Sequence, residues 1–378
     1  MEQDRTSYIS IKSINRNRIF NTIRNSGNES RSSLSYHLKM SLPTITQNLN
    51  DLMKAGLICE SGSFLSTGGR RARAYSIVPR ARISVGLDLT HDHVSVVLVD
   101  LNRTIIYSRR YPCPFSLEDG YLKKLGEIVR NALTETSIQD SKVLGVSIVV
   151  PGLVTEDHTR IFYGKILNFT GTTNATLGKY IPFPCRLYND ADAAGYGEVR
   201  ICKSFENAFY ICLSNNIGGA VLINHQIYKG NTPKSGEVGH ISLIPDGRDC
   251  YCGQKGCFET YCNAKILSGP FEGDLARFFE ELRAGSAFCR QLWEEYLRYL
   301  AIAVNNVYML LDCPVILGGY VGCYMGDYLD ELKKLAGARN PFGGNADYLY
   351  ACEVKDEPLA FGGALNDIEE FCEDISAH

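Results

Sequence analysis

The sequence has no apolar run long enough to cross a bilayer: its most hydrophobic stretch, residues 301–325, is interrupted by Asn305, Asn306 and Asp312. That argues against a membrane span, and the stretch reads as a core segment. The N-terminus is polar and lacks an apolar h-region, so no secretory signal is expected and the protein is expected in the cytoplasm. A disulfide framework is not expected either, because fourteen cysteines in a reducing compartment serve as free thiols or metal ligands. Net positive charge is missing as well. The 378 residues carry 39 Lys and Arg against 42 Asp and Glu, a formal −3, which taken whole argues against a polyanionic partner.

Dividing the chain reverses that inference. Residues 1–80 hold 12 basic side chains against five acidic ones, a net +7, and residues 81–378 hold 27 against 37, a net −10. Such asymmetry suits a basic module that meets a polyanion, joined to an acidic body with another task, although a positive face can also be merely solubilising. The length allows two or three domains, and 45% hydrophobic residues suffice for a sizeable core.

In the basic segment, Ile14, Ile19, Phe20 and Ile23 give residues 13–26 one apolar face, and Gly27 suits a helix end. Ser30 is a candidate N-cap for a second helix carrying Leu34 and Leu38. After a turn at Met40–Leu42, Ile45, Leu49, Leu52 and Met53 mark a third helix. Its expected outer face is Thr44, Thr46, Gln47, Asn48 and Asn50, whose hydroxyls and amides suit base edges in a major groove. Such a face also occurs in ordinary small bundles. Strands at Leu57–Glu60 and Ala74–Val78, joined by a loop with Gly68, Gly69, Arg70, Arg71 and Arg73, have the form of a cationic wing. Residues 1–80 therefore read as a winged helix-turn-helix, with Arg31, Thr44, Thr46, Gln47, Asn48, Gly69, Arg70 and Arg71 as candidate contacts to double-stranded DNA. Pro79 and Arg80 mark the boundary.

The body, residues 81–378, contains an internal repeat. Strands at Ile83–Leu89, Val94–Val99 and from Thr104 are echoed about 125 residues later by Ala208–Leu213, Ala220–Ile223 and a further strand. Two related α/β lobes with a cleft between them are expected. Helices are expected near residues 117–136, 288–311 and 358–371, and strands near 143–150, 314–317 and 348–353.

The strongest chemical signal is Cys250, Cys252 and Cys257 with His240 ten residues upstream of the first cysteine. Three thiolates and an imidazole form a tetrahedral zinc set with no open position, hence a structural Zn²⁺. The other cysteines follow no such spacing and are expected as small buried apolar residues. Glu237, Glu259 and the run Asn189-Asp190-Ala191-Asp192 offer paired acceptors and donors suited to vicinal hydroxyls.

Gly236-Glu237-Val238-Gly239-His240, the CxCGxxGCxE run from Cys250 to Glu259, Asn189-Asp190, Pro151-Gly152 and Thr67-Gly68-Gly69-Arg70-Arg71 together resemble the ROK family of repressors and sugar kinases. The resemblance spans nearly the whole chain. It implies a duplicated, ribonuclease H-like, two-lobed actin-like sugar kinase fold behind the DNA-binding head, with a zinc loop at residues 236–259. It implies zinc ligation by His240, Cys250, Cys252 and Cys257, and sugar contacts from Asn168, Asn189, Asp190, Glu237, His240 and Glu259. Asp190 matches the general base of the kinases.

The phosphate loops depart from the kinase pattern. Where kinases have Asp-x-Gly-Gly-Thr-Lys, Asp88 is followed by Leu89, Thr90, His91, Asp92 and His93, so side chains replace the glycines that let backbone approach phosphate. Ser214, Asn215 and Asn216 replace a second glycine-bearing loop, while Gly218, Gly219, Gly318 and Gly319 remain. The expectation is a non-enzymatic, sugar-responsive regulator, a repressor that has lost ATP. It would act as a homodimer or dimer of dimers on operator DNA, with a mono- or disaccharide effector and no membrane partner. The alternatives are a sugar kinase carrying a DNA-binding arm, or a DNA-bound scaffold with a vestigial pocket.

Overall fold

The computed structural model describes residues 2–63, 73–202 and 204–375, with side chains from Ser13 onward. Helix α1 (Glu2–Ser26) starts well before the expected residue 13, and Gly27 follows it at φ +83°, its N–H donating to the Ile23 carbonyl. A two-residue strand, β1 (Glu29–Ser30), was not expected. Ser30 also caps α2 (Arg31–Leu38), its hydroxyl accepting the Ser33 N–H at 3.1 Å. Ser41 caps α3 (Leu42–Lys54), which has Pro43 in its first turn. The chain then forms the antiparallel ribbon β2 (Ile58–Ser63) and β3 (Arg73–Ile77), with β3 central in a three-stranded sheet. Gly69, Arg70 and Arg71, expected at the tip, lie outside the described residues.

Asn48 corrects the expected outer face of α3. It is 3% exposed, and its Nδ2 donates to the Thr44 carbonyl at 2.8 Å. Position 48 lies three residues beyond Ile45 and four before Leu52, which places it on the buried stripe. Gln47 and Asn50 are exposed and Thr46 is half-buried.

The body is two copies of one sheet. The first lobe contains β4 (Ile83–Leu89), β5 (His93–Asp100), β6 (Ile105–Pro112), α4 (Asp119–Glu135), β7 (Val143–Val150) and the small pair β8 (Leu153–Val154) and β9 (Ile161–Tyr163). It continues through α5 (Asn174–Leu177), β10 (Cys185–Asn189) and α6 (Asp190–Ile201). Then come β11 (Ala208–Leu213), β12 (Ile217–Ile223) and β13 (Gln226–Ile227) of the second lobe. Its helices α7 (Glu259–Cys262), α8 (Ala264–Ser268), α9 (Leu275–Arg283) and α10 (Ala287–Leu311) precede β14 (Val315–Gly318) and α11 (Gly319–Gly322). The chain closes with α12 (Leu329–Gly337), β15 (Leu349–Ala351) and α13 (Pro358–Glu373).

The sheet orders β10-β7-β4-β5-β6 and β15-β14-β11-β12-β13 correspond strand for strand. In each, the first two pairings are parallel and the last two antiparallel. This is the duplicated, two-lobed α/β architecture expected from the repeat.

The lobes are tied by exchanged helices. α6 follows the first sheet yet packs on β11 and β12 of the second, whereas α13 follows the second sheet and packs on β4, β5 and β7 of the first. The two helices pack on each other through Gly197 and Gly362. A Cβ on Gly362 would lie 1.9 Å from the Ala193 carbonyl oxygen, so only glycine permits this approach.

α13 also receives the head. Arg24 of α1 donates from Nη2 to Glu369 Oε1 at 2.7 Å and from Nε to the Leu101 carbonyl, while Arg103 donates to both oxygens of Glu369 at 2.9 and 3.1 Å. Burial disfavours the Glu369 charge, but Arg103 and Arg24 together hold its pKa down at about 2. Asn21 donates to the Cys372 carbonyl at 2.8 Å, and Phe20 and Ile23 share an apolar cluster with Ile368 and Phe371. Cys59 corrects a further expectation, being exposed on β2. Cys185, Cys202, Cys313 and Cys323 are half-buried.

Candidate functional site

The site is built where β10 gives way to α6. Asn189 caps the helix: its Oδ1 accepts the Asp192 N–H at 3.0 Å, and its Nδ2 donates to the Gly152 carbonyl at 3.1 Å, tying α6 to the Pro151-Gly152 turn. Asp190 begins the helix and accepts the Ala191 N–H at 2.8 Å. Burial, aided by neighbouring Asp192, pushes its pKa up to about 6 despite that hydrogen bond. Asp192 itself pairs with Lys229.

Across the cleft, Glu237 and His240 stand at either end of a short 3₁₀ turn, Val238–His240. Glu237 lines the cleft together with Asp190, Lys165 and Asn216. Desolvation first, then Asp190 and Asp192, push its pKa up to about 7. Asn189, Asp190, Glu237 and His240 thus line one concavity. It adjoins a cavity of about 330 Å³ that shares Asp190, Lys165 and Tyr251 and extends to Asp88 and Ser214.

Two expected sugar contacts are placed elsewhere. Asn168, at φ +51°, is exposed and lines neither space. Glu259 is buried behind the wall: its Oε1 accepts Asn216 Nδ2 at 3.1 Å and its Oε2 accepts the Ile217 N–H at 2.5 Å. Its geometry is that of a brace for the 214–217 turn. Lys165 and Tyr251 were missed. Tyr251 lies inside the cysteine motif, where it could have been noticed, but nothing local to Lys165 marks it.

His240, Cys250, Cys252 and Cys257 bring one ligand atom each to within 4.8 Å of one another. Cys252 Sγ lies 3.8 Å from Cys257 Sγ, and Cys250 Sγ lies 3.8 Å from His240 Nδ1. A tetrahedral ion with bonds of about 2.3 Å sets its sulfur ligands roughly 3.8 Å apart, so the donor set fits zinc in both chemistry and spacing. The outer imidazole nitrogen, His240 Nε2, faces the Tyr251 hydroxyl at 3.2 Å. One histidine can thereby anchor a metal and present its second nitrogen to the cleft.

On the opposite side of the cleft, the turn after β4 is closed by side chains. The Thr90 hydroxyl accepts the His93 N–H at 3.1 Å, and His91 and Asp92 pair at 2.6 Å on its exposed tip. Asp88 is buried at the strand end, and burial, with Glu357 and Asp190 nearby, raises its pKa well above the usual carboxylate range.

Duplicated sheets joined by exchanged helices, with a carboxylate-lined cleft beside a Cys/His cluster, define the actin-like class that sugar kinases and their regulatory relatives share. The chain belongs to the ROK family, whose profile matches residues 84–339. It is similar to the xylose repressor of Bacillus subtilis, 28% identical over 259 residues that make up 68% of this chain and 67% of that protein. It is also similar to the DNA-binding transcriptional dual regulator NagC of Escherichia coli, at 25% identity over 68% of this chain and 64% of that protein. Among solved structures, a ROK family transcriptional regulator described as a homolog of the E. coli MLC protein superposes with a TM-score of 0.72 at 19% identity, covering 96% of this chain and 98% of that one. A ROK family glucokinase from Streptomyces griseus, in complex with glucose and AMPPNP, gives 0.64 at 20% identity and covers 75% of this chain and 98% of that one. At these identities the structural likenesses show the fold alone.

Proposed function

We propose that the protein is a sugar-responsive transcriptional regulator, most simply a repressor, in which residues 1–80 bind operator DNA and residues 81–378 bind a mono- or disaccharide. The observation that carries this is the position of α13. It packs against α6, whose first residues are the site residues Asp190 and Asp192, and it is joined to α1 of the head through Glu369. A shift of α6 on ligand binding therefore reaches the head through two close-packed helices and a buried ion pair. Such a device works only if the sugar binds the two arrangements with different affinity.

The exposed α3 residues Gln47 and Asn50, with Thr46 beside them, are offered to the major groove, and exposed Arg31 to phosphate. Asn189, Asp190, Glu237 and His240 take the sugar hydroxyls, and a structural Zn²⁺ on His240, Cys250, Cys252 and Cys257 holds the loop behind them. The altered phosphate turns support a protein without kinase activity. A homodimer would set two heads about 34–36 Å apart for successive half-sites. No described helix is long and apolar enough to cross a membrane, and a cytoplasmic location suits a DNA partner.

Retention of Asp190 keeps one kinase reading open to experiment. ATP turnover with a bound sugar, abolished by Asp190→Asn, would establish the kinase. The regulator is tested by operator binding across sugars that raise the melting temperature.

A further inference from the structure

Tyr320, on α11 of the second lobe, stands in the interlobe space. It follows Gly318-Gly319, and Gly319 sits at φ +76°, where a Cβ would lie 2.7 Å from Ser214 Oγ and 2.8 Å from the Leu213 nitrogen. Only glycine allows the chain to turn this tightly against β11. The base of Tyr320 is fixed to the second lobe twice over. Its own N–H donates to Ser214 Oγ at 3.3 Å, and the Gly319 N–H donates to the buried Tyr210 hydroxyl at 3.1 Å.

The side chain crosses to the first lobe. Its hydroxyl lies 3.3 Å from His93 Nε2 and donates toward Asp88 Oδ2 at 3.5 Å. The Arg110 guanidinium lies 5.2 Å above the ring centre and is held by Glu357 at 2.9 Å. These three contacts come from β4, β5 and β6, so one tyrosine touches three adjacent strands of the opposite lobe.

The ring also divides space. It lines both the inner cavity of about 330 Å³, which contains Asp190, and an outer cavity of about 880 Å³ beside Arg110 and Lys355. Among the described residues, only Asn215 and Lys265 join it on both walls. A chain of phosphates laid from the outer cavity toward Asp190 would pass the wall that Tyr320 shares with Asn215 and Lys265.

We propose that Tyr320 is an interlobe clasp: it holds the lobes in the closed register that brings Asp190 and Glu237 to one cleft, and it partitions that cleft so that only the inner part reaches Asp190. The clasp rests on the reading of the inner cleft as a sugar site, and acts as a positioning residue for it. Opening the lobes would break the Tyr320 contacts with His93, Asp88 and Arg110 together, so closure is cooperative.

The test compares the full-length wild type with Tyr320→Phe and Tyr320→Ala. Amide hydrogen exchange, without ligand, is read at residues 88–93 and 213–217, with β7 and α13 as controls for folding. Exchange at the cleft segments is expected to rise at least tenfold in Tyr320→Ala and by less in Tyr320→Phe, which keeps the ring and the cation contact, while the controls stay protected. Equal exchange in all three proteins overturns the clasp, as does loss of protection in the controls together with the cleft. In a second arm, affinity for any sugar that raises the wild-type melting temperature should fall in the order wild type, Tyr320→Phe, Tyr320→Ala; equal affinity overturns it. AMPPNP binding to the wild type with cleft protection intact overturns the partition. If no sugar stabilises the wild type, the sugar-site reading fails by itself and the exchange arm still judges the clasp.

Discussion

The two sides of Tyr320 differ in what their polar groups face. On the inner side, Asn189, Asp190, Glu237 and His240 line one concavity, with His240 Nε2 facing the Tyr251 hydroxyl. On the outer side, Arg110 pairs with Glu357 and His93 with Tyr320. Carboxylates gathered in a concavity are costly to desolvate and become useful when a ligand brings them donors. Acceptors and donors that satisfy each other leave a ligand little to gain. The inner side therefore reads as a working site, and the outer side as a wider space whose charged groups Arg110 and Glu357 are spent on each other.

Removing the support of the inner side should have the largest effect. Cys252→Ser is expected to lose bound zinc and loosen the turn that carries Glu237, weakening sugar binding by roughly 100-fold. Metal analysis showing undiminished zinc would contradict the assignment. Next, Glu369→Ala leaves Arg24 and Arg103 without their shared carboxylate, a loss of about 3–5 kcal/mol for a buried pair. Thermal unfolding should show that loss, and operator affinity should stop responding to sugar even though sugar still binds.

Glu237→Gln sharpens the comparison within the inner side. It should leave operator binding intact and raise the sugar concentration needed for a response by about tenfold, as expected for one charge-assisted hydrogen bond. It also has a pH signature. A carboxyl whose folded pKa lies near 7 and whose unfolded value lies near 4.5 favours the folded state below about pH 4.5, and that contribution is lost as pH rises toward 7. The ligand-free variant should therefore melt higher than wild type at pH 8 and like it at pH 4.5. A lower melting temperature at pH 8 would mean that the carboxylate is structurally paired. The smallest effect belongs to the head, where Arg31→Ala should weaken operator binding and reduce the log–log salt slope by about one. An unchanged slope would remove Arg31 from the phosphate interface.

Much of the architecture was legible in the sequence because it is periodic or local. The strand repeat announced two matching sheets, the bounds of β4, β7 and β11 fell where their apolar runs begin and end, and four metal-type side chains stood within one short segment. What escaped was set by distant packing. The exchange of α6 and α13 depends on Gly197 meeting Gly362, and nothing near either glycine shows which partner it faces. Asn48 was read by polarity when its position on the helix put it on the buried stripe. Glu259 carried the right chemistry but points behind the wall, because the Ile217 N–H and Asn216 take both of its oxygens. Tyr320 lies more than two hundred residues from Asp88 and His93, so its crossing is visible only in three dimensions.

The central claim is that occupancy of the inner cleft is felt by the head through α6, α13 and Glu369. It is tested most directly by titrating the full-length protein onto labelled operator DNA at fixed salt, with and without a saturating sugar that raises its melting temperature. A change in operator Kd of about tenfold, the scale of an ordinary allosteric coupling, is predicted in wild type and its disappearance in Glu369→Ala. An operator Kd that stays the same with the sugar bound would contradict the account.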